Sequence, residues 1–266
     1  MQSQDSTGNS LKLNVISVIT VVMDDPAGFA ETLESLEEQS LPQFNWVVVD
    51  SSTDPTSIPA LLSQSQLSVD YEWVKPEGIY PAMNHGASRS DGKYLYFLNA
   101  GDTLFDSMTL AQVTNAVSET LPTWAFGGVN FWDQNGQQLK EPNWDYSVEH
   151  RHRFTRGRFP AHQSVFVRSD VFEELGNFDT AFTIAADYHM ICRLSQIQDP
   201  LALGFKVAHF TQGGASTLSW RLAQTEFRQA RTSVFPLNLA GRLEELFFGT
   251  RAYLSHLVVN RRSKSQ

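Results

Sequence analysis

The chain of 266 residues contains a single cysteine, Cys192. That excludes an intramolecular disulfide and any cysteine cluster around zinc, and it fits a reducing compartment. Long hydrophobic runs are missing too. No uninterrupted apolar stretch reaches the roughly 18–20 residues of a membrane span. Met1 to Asn14 is polar, without a basic start and an apolar core, so it reads as a disordered lead-in rather than a secretory signal. Basic residues are scarce over most of the chain, which carries a net charge of −9. Up to Trp220 there are 12 Lys or Arg against 26 Asp or Glu, an acidic balance that excludes a general nucleic-acid binder. The basic excess is confined to Arg221–Gln266, with eight Arg or Lys against three Glu; such a tail suits an anionic surface.

What is present is globular. Apolar residues make up 41% of the chain, enough for a core without disulfides or structural metal. Val15–Val22 is a continuous β-branched run, the pattern of a strand buried on both faces. Asp25-Pro26 supplies a helix cap and first-turn proline. Phe29, Leu33 and Leu36 recur at helical spacing until Leu41-Pro42. Strands follow at Trp46–Val49, Tyr71–Val74 and Tyr94–Leu98, with helices near Ile58–Gln66 and through Met83 and Ala87 between them. This rhythm predicts an α/β fold with a mostly parallel sheet flanked by helices. Ligands in such sheets bind beyond the carboxyl ends of the strands. Farther on, Asn135-Gly136 reads as a hairpin turn. Lys140–Ala161 reads as a long functional loop, Ser164–Val167 as a strand, Ser169–Gly176 as a capped helix, Ala185–Leu194 as a helix and Phe205–Phe210 as a strand.

Several residues are placed for chemistry. Asp50, at a strand's carboxyl end, either receives hydrogen bonds from a base or ribose or caps the turn after it. In Asn99-Ala100-Gly101-Asp102 an apolar strand delivers a polar group, a glycine that lets a phosphate or metal approach, and a carboxylate. Asp102 there either helps to hold Mg²⁺ or Mn²⁺, which take oxygen ligands, or caps a helix. Asp187, at a helix start, is either a catalytic base facing the cleft or a cap complementing the helix dipole. His162-Gln163 precedes a strand, as site residues or as ordinary strand-end polarity. His209 is a metal ligand or a satisfied histidine, and Cys192 reads as packing.

The order of these segments resembles family 2 glycosyltransferases with a GT-A fold. The matching stretches are Val15–Val22, Val47–Thr56, Gly78–Asp102, His162–Asp187 and Gly213-Gly214-Ala215-Ser216. Gly78-Ile79-Tyr80-Pro81-Ala82-Met83-Asn84-His85-Gly86, then Asp91-Gly92-Lys93-Tyr94 and Leu98–Asp102, are similar to the branch that makes bacterial surface polysaccharides. The resemblance implies that Thr20 and Asp50 contact the base and ribose of a nucleotide-sugar donor, UDP-linked by family habit. It also implies that Asn84, Asn99, Gly101 and Asp102 bind the donor, that Asp102 holds the Mn²⁺ or Mg²⁺ cofactor, that His162 and Gln163 lie on the acceptor side, and that Asp187 is the base of an inverting transfer. The expected domain runs from 15 to 218, a nucleotide half to about 102 and an acceptor half beyond it. The partners are the donor, a sugar or lipid-linked acceptor and no nucleic acid.

Two other classes compete. A nucleotidyltransferase would carry a glycine-rich basic loop after the first strand, where this chain has Met23-Asp24-Asp25-Pro26. A non-catalytic nucleotide-sugar-binding or scaffold protein would share the fold and would not hydrolyse donor. Arg151, Arg153, Arg156 and Arg158 in the long loop suit a phosphate, such as that of a lipid carrier, or a solvated loop. The tail, 219–266, mixes apolar residues with Arg242, Arg251, Arg261 and Arg262, and Pro236 breaks the pattern between an earlier and a later segment. It predicts one or two amphipathic helices, packed on the sheet or lying on an anionic membrane. The expected location is the cytoplasm, including the inner face of the plasma membrane.

Overall fold

The computed structural model of the chain describes residues 15–41, 43–132, 136–139, 154, 159–211 and 220–235. The elements run β1 (Ile16–Val22), α1 (Pro26–Glu37), β2 (Asn45–Asp50), α2 (Ser57–Leu62), β3 (Asp70–Trp73), α3 (Ile79–Ser88), β4 (Tyr94–Phe97), β5 (Thr103–Leu104), α4 (Thr109–Thr120) and β6 (Trp124–Trp132). A 3₁₀ turn (His162–Ser164) leads into β7 (Val165–Arg168), α5 (Ser169–Glu174), α6 (Ala186–Ile197), β8 (Leu201–Thr211) and α7 (Trp220–Val234). Asp25 caps α1 by accepting from Gly28 N at 2.9 Å. That helix stops at Glu37, short of the expected Leu41-Pro42, and Ser40 N turns away to Ser107 O.

Eight strands form one sheet in the order β3-β2-β1-β4-β7-β6-β8-β5. The pairs β1–β2, β1–β4, β2–β3 and β6–β8 are parallel, and β4–β7, β6–β7 and β5–β8 antiparallel. Period-2 alternation divides the core. Ile16, Val18 and Val22 of β1, with Tyr94 and Tyr96 of β4, pack against α1 and α4. Ile19 and Val21, with Leu95 and Phe97, pack against α3, α5 and α6. The continuous apolar run of β1 follows from burial on both faces.

The topology brings distant segments together. β1 to β4 all end at the same edge of the sheet. Because β7 runs antiparallel to β4, pairing Tyr96 with Phe166, its first residues lie beside the last of β4. His162-Gln163 therefore meets Asn99–Asp102. From the sequence the tail was expected to begin at residue 219, and its first helix, α7, packs on α6. Ala223, Glu226 and Ala230 of α7 are buried at helical spacing, and Ala230 joins Tyr188 and Cys192. Cys192 is thus a packing residue, its thiol pushed up to about 12 chiefly by burial. The remainder of the tail, Gly213-Gly214, and the loop arginines 151, 153, 156 and 158 lie outside the described residues.

Candidate active site

Asp102 lies in the loop after β4, where its backbone N donates to Asn99 O at 3.0 Å. Gly101 adopts φ +86°, a conformation suited to glycine. Thr32 of α1 anchors this loop. Its hydroxyl lies 2.8 Å from Asp102 O and accepts from Gly101 N at 3.1 Å. A Cβ on Gly28 would come within 3.0 Å of Gly101 Cα, so the first turn of α1 touches the loop directly. The Asp102 carboxylate is 5% exposed and accepts from Gln163 Nε2 at 3.2 Å. Burial pushes its pKa up to about 7, against the opposing pull of His162 and Gln163.

His162 links this loop to α6. Its Nε2 lies 3.1 Å from Asn99 Nδ2, and its Nδ1 lies 3.3 Å from Asp187 Oδ2. With a proton on Nδ1, the imidazole donates toward Asp187 and accepts from Asn99. Burial opposes its charge, but the neighbouring Asp187, aided by Asp102, outweighs burial and raises its pKa above the usual histidine value. The other Asp187 oxygen, Oδ1, accepts from Tyr188 N at 2.7 Å. The Tyr80 hydroxyl lies 3.2 Å from that oxygen and 2.7 Å from Ile184 O. Burial, then Asp187, holds the Tyr80 phenol well above its ordinary pKa, so it remains a proton donor. Asp187 therefore caps its own helix and also joins a side-chain network that reaches the Asn99–Asp102 loop.

The structure gathers Asn99, Gly101, Asp102, His162, Gln163 and Asp187 into one cluster. The side chains of the other expected site residues bond to partners outside this cluster. Asp50 is fully buried at the end of β2. Its Oδ1 accepts from Ser52 N at 2.8 Å and its Oδ2 from Tyr71 OH at 3.0 Å, the bonds of a turn and a cross-strand tie. Thr20 is likewise fully buried, and its hydroxyl accepts from Trp46 Nε1 at 3.1 Å. Asn84 exchanges two bonds with the backbone of Phe178, at 2.9 and 3.0 Å, tying α3 to the segment before α6. His209 is satisfied by Trp132 Nε1 at 3.2 Å and Phe105 O at 3.2 Å, a structural histidine. Thr32 and Tyr80 escaped the sequence reading because one reads as a polar helix residue and the other as core.

Among the described residues no group of three or more His, Cys, Asp or Glu side chains is arranged to hold a metal ion. Asp102 supplies one carboxylate, and Asn99 Oδ1, buried without a hydrogen-bond partner, is a second oxygen on the same loop. This set fits Mg²⁺ or Mn²⁺ held by one protein carboxylate with phosphates and water completing the shell.

A mostly parallel sheet flanked by helices, with Asn99–Asp102, His162 and Asp187 gathered at its carboxyl edge, is the architecture of the GT-A glycosyltransferase class. Within that class the chain belongs to glycosyl transferase family 2, whose sequence profile matches residues 17–176. An uncharacterised glycosyltransferase of Mycobacterium tuberculosis is 26% identical over 208 residues, covering 76% of this chain and 77% of its own. A PGL/p-HBAD biosynthesis glycosyltransferase of Mycobacterium bovis is 28% identical over 178 residues, covering 65% and 67%. The fold is similar to that of S. aureus TarS 1–349 in complex with UDP-GlcNAc. The TM-score is 0.65 at 15% identity, over 90% of this chain and 72% of that one. The match to the longer TarS chain spans 41% of it. A mannosyltransferase from Pyrobaculum calidifontis, in complex with GDP-Man and Mn²⁺, gives a TM-score of 0.62 at 17% identity, over 90% and 70%.

Proposed function

We propose that the protein transfers a sugar from a nucleotide-sugar donor to an acceptor hydroxyl with inversion, using Asp187 as the general base. The observation that carries this reading is the Asp187 carboxylate, oriented by Tyr80 and His162 and linked through Asn99 to the loop bearing Asp102. The nucleotide half is assigned to residues 15–102 and the acceptor half to 103–218. Asp187 takes the proton from the acceptor hydroxyl as its oxygen attacks the anomeric carbon. The bond from that carbon to the diphosphate oxygen breaks on the opposite face, and nucleoside diphosphate leaves. Asn99 and Asp102 would hold a divalent cation, which supplies positive charge to the diphosphate when bound. His162 and Tyr80 keep the base fixed, and Gln163 holds the Asp102 carboxylate.

Support for the donor class comes from the structural neighbours, one bound to UDP-GlcNAc and one to GDP-Man with Mn²⁺. The UDP preference remains part of this proposal, as does a lipid-linked acceptor, which suits the basic tail. The test is to incubate purified protein with UDP- and GDP-sugars, with and without Mn²⁺, and to measure nucleoside diphosphate release and the product's anomeric configuration. Cation-dependent release and an inverted product are expected. Retention would overturn the single displacement, and no release from any donor would favour the non-catalytic scaffold.

A further inference from the structure

Glu226 stands on α7, beyond the residues that the family profile matches. A carboxylate only 5% exposed is costly unless its oxygens are satisfied. Here they are satisfied by the segment that leads into α6. Thr183 N lies 3.0 Å from both oxygens, and the Thr183 hydroxyl donates to Oε1 at 2.7 Å. Ile184 N and Ala185 N donate to Oε2 at 2.7 and 3.0 Å. Three successive backbone N–H groups and one hydroxyl thus converge on a single side chain. Ala185 is the residue at the N-cap of α6 and has no capping side chain of its own. Glu226 satisfies the Ala185 N–H from another helix, where a negative charge also complements the helix dipole.

The same segment is gripped from its other side. Tyr80 on α3 approaches Ile184 O at 2.7 Å and Asp187 Oδ1 at 3.2 Å. Two residues beyond Ala185 stands Asp187. The helix that carries Glu226 is itself fixed, through Ala230 packed with Tyr188 and Cys192, and through Phe227 at 5.5 Å from the Tyr188 ring.

We infer that Glu226 is a positioning residue for Asp187, so that α7 completes the catalytic site instead of merely extending the domain. The carboxylate sets the backbone at Thr183–Ala185, and that backbone sets where the Asp187 carboxylate starts from the first turn of α6. The inference rests on Asp187 being the base, and its test is built to separate the two.

The variants are Glu226→Gln, which keeps the shape and loses the charge, Glu226→Leu, Asp187→Asn and the double variant D187N/E226Q. UDP-GlcNAc and GDP-mannose with Mn²⁺ serve as the probes, with water as the acceptor. Readouts are nucleoside diphosphate release, donor affinity by calorimetry and the thermal midpoint. E226Q is expected to fold and to bind donor within about twofold of wild type, while turnover falls ~10- to 100-fold, the scale of a misplaced catalytic group. Because the loss acts through Asp187, D187N/E226Q should be no slower than D187N alone. If D187N turns over like wild type, the base reading itself falls and takes this inference with it. If D187N is slow but E226Q is normal, only the positioning role falls. Losses that multiply in the double variant overturn it as well, since Glu226 would then act elsewhere. If neither Glu226 variant folds, the carboxylate is a prop for the whole domain and the positioning role is wrong.

Discussion

Asp102 is an expensive residue to keep. Its carboxylate is nearly out of water, with Gln163 as its side-chain partner, and burial lifts its pKa to about 7. Removing that charge relieves a desolvation cost and does not break a strong ion pair. Asp102→Asn is therefore expected to fold with an undiminished thermal midpoint while losing the Mn²⁺-dependent part of donor affinity. Calorimetry with and without the ion checks this, and unchanged metal dependence would place the cation elsewhere. His162 invites a milder test. His162→Gln cannot keep both the Asn99 and the Asp187 contacts in their present geometry, so turnover should fall roughly tenfold or more with little change in donor affinity. Equal losses in both would mean that His162 binds the donor. At this scale the sequence identified much of the cluster. Asn99, Asp102, His162 and Asp187 sit at strand and helix ends, where local pattern points to polar work. Thr32, Tyr80 and Glu226 gave no such signal, because each acts across a long separation in sequence. Thr20 and Asn84 drew attention through the resemblance, yet their side chains serve Trp46 and Phe178.

Between elements, the close approach of α1 to the Asn99–Asp102 loop leaves no room for a side chain at Gly28. An added Cβ would stand 2.3 Å from Asp25 Oδ2 and 3.0 Å from Gly101 Cα. Gly28→Ala must shift the cap or the loop, at about 1–3 kcal/mol of strain. Donor affinity is expected to drop by about tenfold if the loop gives way, and unchanged affinity would show that the cap moves instead. The contact of α6 with α7 sets a pH limit. His189 on α6 lies 3.3 Å from Ser233 Oγ on α7, and its pKa is pushed down to about 4 by burial and then by Arg193. The unfolded chain takes up this proton near pH 6.5, where the folded chain refuses it. Stability is complete above that value and is lost as pH falls toward 4, by roughly 3 kcal/mol in all. Denaturant midpoints between pH 7 and pH 5 should fall less for His189→Gln than for wild type; parallel curves would contradict the assignment. The strands β1, β2 and β4 were plain in the sequence because burial on both faces writes apolar runs. Helix α4 was missed because Leu110, Val113 and Val117 are its only large apolar residues, set among Thr, Ser and Asn that favour helices weakly. Strand β6 was obscured by Gly127-Gly128, where the register with β8 shifts. A Cβ on Gly127 would meet Val207 Cγ1 at 2.6 Å, so the glycine marks close packing there, not a turn.

For the molecule as a whole, the C-terminal region has two parts. Helix α7 belongs to the catalytic body, as Glu226 and Ala230 show. No helix among the described residues is long and apolar enough to cross a membrane, and the residues after Phe235 lie outside the description. Their Arg242, Arg251, Arg261 and Arg262 carry the proposal of an anionic membrane surface, each contributing about 1 kcal/mol near it. Full-length protein should sediment with anionic liposomes at low salt and release as salt rises, and a chain ending near Arg242 should stay free while still binding donor. Failure of the full chain to bind such vesicles would end the membrane proposal and leave the enzyme reading intact. Sugar transfer itself hinges on Asp187. Its direct test is single-turnover transfer by Asp187→Asn at saturating donor, with donor affinity measured on the same preparation. The expected result is native donor binding with transfer slowed roughly 10²- to 10⁴-fold, whereas near-native transfer by a folded D187N protein would show that the base lies elsewhere.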